Sequence, residues 1–290
     1  MCGFCAQVNE IAAGVYGAHE RLVVGFSWGK SVTYSFPKSS NDYGYTYEPG
    51  RNFASATELQ VKAALFALEQ SYGTAANDGF SVEGFTGLRV SEGAPRTADI
   101  RLAQSDVPTT AWGYYPGNYE EAGDIWFGRK YDYTDARPGN YAWHTVLHEI
   151  GHALGLKHGH ESAEGVAALP AEYDSLEYSL MTYRSYAGGA VSGYTYSTWS
   201  APQTFMMADI AALQQLYGAN FSANSGDTVY SWRPGSGDTL VNGEVGIDAG
   251  GKVIFATIWD GGGYDTYDLS AYTTDLVINL EPGAASRFDA

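Results

Sequence analysis

The chain has 290 residues, 33 acidic against 16 basic side chains, and a formal net charge of −17. That balance excludes a nucleic-acid surface, whose phosphates demand clustered bases, and no run of about 18 apolar residues marks a membrane-inserted helix. The length allows one large domain, alone or with a smaller one, and the only cysteines, Cys2 and Cys5, sit at the N-terminal tip, so the body of the fold depends on no disulfide.

In chain order, residues 7–20 read as a short helix, and residues 1–30 as an N-terminal extension or propeptide-like segment without the basic start and apolar stretch of a signal peptide. Val32–Phe36 alternates like a strand and stops at Pro37. Ser39–Asn52 is a tyrosine- and glycine-rich loop. Ala56–Tyr72 carries apolar residues at Leu59, Ala63, Leu65, Phe66 and Leu68, which predicts a helix closed by Gly73. Strand-like runs follow at Gly87–Ser91, Asp99–Ala103, Ala111–Tyr114 and Asp124–Phe127. Residues 140–154 and Pro202–Gly218 read as helices, with a domain boundary near Asn220. Beyond it the chain is β-like, with strands expected at Val253–Thr257 and Leu276–Leu280. The fold class is α+β.

Five of the six histidines fall between His144 and His160. His148 and His152 are four apart, so a helix places both imidazoles on one face, one turn apart, within reach of one metal ion. Glu149 points to a neighbouring side and can reach a water at that ion without being a ligand; this is the zinc-binding H-E-x-x-H arrangement with the glutamate as general base. Gly155 suits a left-handed helix end that swings His158 back as a third nitrogen, leaving one position open, as a catalytic zinc needs. H-E-x-x-H alone arises by chance on ordinary helices; the longer H-E-x-x-H-x-x-G-x-x-H fixes five positions, each with a job. His144 lies one turn before His148, and a tetrahedral site with an open position has no room for it, so it reads as a satisfied or exposed histidine. His160 reads as loop, and the isolated His19 as structural or exposed.

The long motif resembles that of the metzincins, in which a methionine-containing turn lies downstream. Tyr178-Ser-Leu-Met181-Thr-Tyr183 fits it, and the resemblance implies that Met181 packs beneath the zinc as a floor. Tyr183, two residues on, looks like the serralysins and astacins, which implies an extra zinc ligand that swings away and hydrogen-bonds the oxyanion. Astacins are disulfide-bonded, and matrixins lack the tyrosine. Ser31-Val-Thr-Tyr-Ser-Phe-Pro37, the stretch Ala201 to Asn220, Gly226-Asp-Thr-Val-Tyr230 and Ile258-Trp-Asp260-Gly-Gly-Gly-Tyr-Asp265 all resemble serralysin segments. The resemblance implies a metzincin catalytic domain at 31–219, a twisted mixed sheet plus long helices, and at 220–290 the start of a β-rich calcium-binding domain. It also implies release outside the cell by a type I route.

The chain departs from that pattern in Thr182, where serine is usual, and in His158-Gly-His160, where His-Pro-Gly is usual. It holds one partial glycine–aspartate repeat where the family stacks many, so it is either a fragment or a chain with a reduced roll. Asp260, Gly262, Gly263 and Asp265 let carbonyls and carboxylates converge on a calcium ion, and the resemblance maps a second segment onto Asn224, Gly226 and Thr228. The Cys2–Cys5 tip reads as disordered, or as a propeptide thiolate closing the zinc site.

The activity implied is a secreted zinc endopeptidase cutting extended polypeptides. Residues 124–128, with Ile125 and Trp126, are expected to present the strand edge on which substrate lies, and Ala111, Trp112, Gly113 and Tyr114 to line the cleft. The alternatives are a calcium-binding surface-layer or adhesion module with a vestigial zinc site, and an enzyme held inactive by its N-terminus or by a separate inhibitor protein.

Overall fold

The computed structural model describes residues 9–10, 21–163 and 165–288. The expected helix at 7–20, His19 and the cysteine tip lie outside the described residues, except that Asn9–Glu10 (β1) pairs antiparallel with Phe26–Ser27 (β2).

The larger sheet is built from Ser31–Ser35 (β3), Ala54–Ser55 (β4), Arg89–Glu92 (β5), Ile100–Ser105 (β6), Ala111–Gly113 (β7) and Ile125–Gly128 (β8). Its order is β5-β3-β6-β8-β7, with β4 pairing β6 off that path. The β3–β5, β3–β6 and β6–β8 pairs are parallel and β7 joins β8 antiparallel, so the sheet is mixed. All six residues of β6 are buried, as expected for a central strand covered on both faces.

Two helices pack together at the core. The first, α1 (Glu58–Leu68), opens with a reciprocal cap: Thr57 accepts from the Gln60 amide at 3.3 Å, and the Gln60 side chain accepts from the Thr57 amide at 2.9 Å. It ends before Gly73, because the chain turns extended at Glu69; Gly73 lies in the following turn at φ +78°. A one-turn helix, α2 (Val82–Phe85), precedes β5. The central helix, α3 (Tyr141–Ala153), is capped by Asn140, whose side chain accepts from the Trp143 amide at 2.8 Å. Every α3 residue after Tyr141 is buried. The Trp28 and Trp143 indoles donate to Ala153 O and Gln203 O at 2.7 and 2.9 Å, fixing α3 to the segments on either side.

The last helix, α4 (Met207–Tyr217), is shorter than the expected 202–218, since Pro202–Phe205 is not helical. A four-stranded sheet follows, ordered β11-β10-β9-β12 from Val229–Ser231 (β9), Thr239–Val241 (β10), Glu244–Ile247 (β11) and Thr266–Asp268 (β12). The strands expected at 253–257 and 276–280 do not form. The first runs alongside Gln203 and Thr204 through single hydrogen bonds, and the second makes one isolated bridge, Val277 to Arg287. Alternation there gave a β pattern, but among the described residues no neighbouring strand completes the ladder. The hydrophobic core runs without a break from Leu22 through α1 and α3 to Tyr230, Trp232, Val241 and Ile247.

Candidate metal centre

His148 and His152 stand one turn apart on α3 with ring centroids 4.7 Å apart. After α3 the chain reverses at Gly155, at φ +100°, a conformation that side chains with a Cβ resist. The reversal is packed from outside: Val24 N donates to Gly155 O at 2.9 Å, and a Cβ on Gly155 would lie 2.5 Å from Phe26 O. It returns the His158 ring to 4.6 Å from His152 and 5.2 Å from His148. One nitrogen from each of the three rings falls within 4.8 Å of the others, so the trio can hold a metal ion.

Hydrogen bonds select which nitrogen of each ring faces inward. His148 Nδ1 donates to Leu180 O at 2.8 Å, and His152 Nδ1 donates to Leu156 O at 2.7 Å. His158 Nδ1 faces the Glu161 carboxylate at 3.1 Å. With the protons on Nδ1, each Nε2 keeps a bare lone pair. His152 Nε2 and His158 Nε2 then point at one another 3.1 Å apart. Burial lowers all three pKa values, His148 to about 4, His158 to about 3 and His152 well below the ordinary value, so the rings are neutral at pH 7. Facing lone pairs repel unless a cation sits between them, and three imidazole nitrogens are a zinc-type donor set. The residues present fit such an ion.

Glu149 points into the same space. Its carboxyl is buried and pushed up to about 8 by that burial, against the Gly113 amide that donates to it, and its Oε2 has no hydrogen-bond partner among the described residues. A cation nearby would pull the value down. Gly113 belongs to β7, and its backbone meets α3 so closely that a Cβ there would collide with Glu149 O. The expected cleft residue Gly113 therefore also steadies Glu149. Ala111 lines the cavity in front of Glu149. Trp112 packs into a small second core with Tyr43 and Trp126, while the Tyr114 hydroxyl donates to Glu48 Oε1 at 2.5 Å.

The expected strand edge at 124–128 is corrected by the sheet order. Ile125 and Trp126 are fully buried in β8, which is paired on both sides; among the described residues the free edge belongs to β7, whose outer side no strand covers.

Met181 is buried beneath α3, where a Cβ on Gly151 would lie 2.6 Å from its sulfur. Tyr183 sets its ring 4.5 Å from His158 and nearly parallel to His148 at 6.1 Å, with its hydroxyl raised to about 12 by burial. His144 is buried and satisfied, by Tyr196 Oη at 3.0 Å and Leu180 O at 3.3 Å. His160 stacks on His158 and sits 5.0 Å from Tyr183.

One residue that matters here escaped sequence reasoning. Asp209, the third residue of α4, accepts from Ser179 Oγ at 2.6 Å, Leu180 N at 2.8 Å and Met206 N at 2.9 Å. It thereby anchors the turn whose Leu180 carbonyl orients His148. An acid in a helix's first turn was the available signal, but it announces only a cap.

In the C-terminal segment the two stretches singled out for calcium do meet. Thr228 N donates to Asp265 Oδ1 at 3.0 Å, Gly262 N to Asp260 Oδ1 at 2.9 Å, and Gly263 lies against Gly226 O. Asn224 stands at φ +50° and bonds the Tyr230 hydroxyl, which in turn donates to Asp260 Oδ2 at 2.7 Å.

Residues 219–288 match the family model described as peptidase M10 serralysin C terminal. Serralysin G of Dickeya chrysanthemi is 35% identical over 273 residues, which covers 89% of this chain and 54% of that protein. Serralysin of Proteus mirabilis is 32% identical over 271 residues, 87% of this chain and 52% of that protein. The chain is a relative of the serralysins. It spans about half the length of the curated serralysins it matches. Metallopeptidase AprA of Pseudomonas marginalis, at 31% identity over 88% of the chain, extends the kinship to a further named metallopeptidase.

Proposed function

We propose that this serralysin relative carries the catalytic part of a zinc-dependent endopeptidase of the metzincin type, at residues 31–219, followed at 220–290 by the start of a calcium-binding β-rich segment. The observation that carries the proposal is the pair of bare Nε2 atoms 3.1 Å apart, in a site that also holds a buried Glu149 oxygen with no partner among the described residues. A zinc ion held by His148, His152 and His158 supplies a Lewis acid that acidifies water and polarises a carbonyl.

The chain's own residues do the rest. The β7 edge pairs with the main chain of an extended polypeptide and holds it in register. Glu149 takes the proton of the attacking water and returns it to the leaving amine. Gly113 N–H keeps the carboxylate aimed. The Tyr183 hydroxyl, beside His158, donates to the oxyanion that develops at the carbonyl. Asp260, Asp265 and the Gly226 carbonyl offer the all-oxygen surroundings that calcium prefers. Location outside the cell belongs to the same proposal and rests on the kinship.

The test is proteolysis of casein and of a quenched peptide by protein purified with zinc and calcium, beside a chelated sample and Glu149→Ala. The expected result is cleavage lost in both controls, with zinc still bound in Glu149→Ala. An active Glu149→Ala overturns the mechanism, and protein that binds no zinc overturns the proposal.

A further inference from the structure

The Tyr183 ring lies among other rings, 4.5 Å from His158 and 5.0 Å from His160, and such contacts carry no directional bond. The residues on either side of it are tied down by one buried carboxylate. Asp174 accepts from the Thr182 hydroxyl at 2.5 Å through Oδ1 and from Arg184 Nε at 2.7 Å through Oδ2. Thr182 Oγ1 accepts in turn from the Arg184 amide at 3.1 Å, and the Tyr194 hydroxyl donates to Thr182 O at 2.9 Å. Leu176 N donates to Arg184 O at 3.0 Å. Asp174 also backs the segment that carries His158: a Cβ on Gly159 would lie 2.8 Å from Asp174 Oδ1, and Gly159 N donates to Met181 O at 3.0 Å. Thr182 and Arg184 thus turn toward Asp174, and Tyr183 between them turns toward His148 and His158.

We infer that Asp174 is the positioning residue of Tyr183. It fixes the main chain at 182 and 184, so that the Tyr183 hydroxyl stands at the edge of the histidine trio, within reach of a metal ion there, and moves by rotation of its own side chain alone. The inference rests on the endopeptidase reading above and adds to it the residue that sets the oxyanion donor. Three features carry it. Burying a carboxylate is costly unless it is paired and hydrogen-bonded, and Asp174 meets both conditions on the two residues that flank Tyr183. Its charge partner is anchored in turn, because Arg184 Nη1 donates to Gly189 O. Finally, a donor stabilises a developing charge only when it is held ready before the charge appears, and the Gly159 contact lets one carboxylate set both that donor and the segment bearing the third histidine.

The test uses the full chain and has a kinetic arm and a spectroscopic arm. Asp174→Asn keeps the size of the side chain and removes its charge; Arg184, with 30% of its side chain exposed, can then turn to water. Thr182→Val keeps the shape and removes the hydroxyl, and Thr182→Ser restores it. The first arm is a double-mutant cycle on a quenched peptide with zinc-loaded protein. Asp174→Asn should lower kcat at least about tenfold with KM near wild type, but less than about twofold in a Tyr183→Phe background, where the group it acts through is already gone. Equal losses in both backgrounds overturn the inference, since a carboxylate that only supports the fold costs the same with or without the Tyr183 hydroxyl. The second arm needs no turnover. Copper(II) is added to metal-free protein, and visible absorption is read for the charge-transfer band that a tyrosine oxygen gives when it reaches copper. The expected result is a band in wild type and none in Tyr183→Phe. With copper stoichiometry unchanged, the band should drop below about half in Asp174→Asn and Thr182→Val and recover in Thr182→Ser. A band at full strength in Asp174→Asn and Thr182→Val overturns the inference, and so does its absence from wild type. No cleavage by zinc-loaded wild type overturns the endopeptidase reading instead, and the copper arm alone then judges Asp174.

Discussion

Replacing Gly155 by alanine tests whether the reversal after α3 is what delivers the third histidine. Gly155 stands at φ +100°, beyond the left-handed region that alanine visits at a cost of about 1–2 kcal/mol. The new Cβ would also lie 2.5 Å from Phe26 O, a backbone atom that cannot rotate away. Relieving that contact moves either the reversal or the 22–26 segment, and overpacking of this kind costs about 1–3 kcal/mol. Together the two effects predict a loss of about 2–5 kcal/mol. At about 2–4 °C per kcal/mol for a large domain, the melting temperature should fall by roughly 4–20 °C. Gly218→Ala is the control: Gly218 has φ +80° but nothing within 4 Å of its would-be Cβ, so only the conformational cost applies. The second reading is zinc affinity, measured by competition with a chelator. A displaced His158 should weaken zinc at least about 100-fold, which would cut the stabilisation gained from saturating zinc by about 2.7 kcal/mol. Gly155→Ala protein that melts with wild type and holds zinc equally well would refute the reasoning, because neither the strain nor the placing of His158 would then depend on that glycine.

Three further outcomes are expected. Glu149→Gln keeps the shape and the Gly113 contact but cannot accept a proton, so kcat should fall at least about 100-fold with zinc stoichiometry unchanged; retention of more than a tenth of the activity would remove Glu149 from the base role. Tyr183→Phe should lower kcat by about two to three orders of magnitude while KM and melting temperature stay near wild type, since the ring contacts with His148 and His158 survive; a change in KM alone would make it a binding residue. Asp209→Asn addresses pH. Burial raises the Asp209 carboxyl from 3.8 to about 6, so its folded-state advantage is complete below about pH 4 and is lost as pH rises through 6, a change of about 3 kcal/mol. The asparagine variant lacks that titration, so its stability relative to wild type should improve by about that amount between pH 4 and 7 in urea unfolding; parallel curves would contradict it.

The sequence by itself determined where the candidate centre lies, because its histidines and Glu149 are local in the chain. A four-residue spacing on a helix must stack two imidazoles, and a glycine three residues later marks where the helix can reverse. The strands and helices of the first 220 residues were legible for the same reason, to within the few residues by which α1 and α4 fall short. Tertiary structure decided what depends on partners far along the chain. Strand order put Ile125 and Trp126 in the interior and left β7 as the edge, which no alternation pattern reports, since an edge strand and a central one can carry the same residues. The 253–257 and 276–280 runs have strand-like sequences but no strand beside them, and a ladder needs two. Asp209 reaches the candidate metal centre through the 179–181 turn, and His144 becomes a cavity wall where Tyr194 and Tyr196 pack against it. A hydrogen bond between residues some thirty to fifty positions apart leaves no periodic trace in a sequence. It exists only where the core has already brought its two ends within about 3 Å.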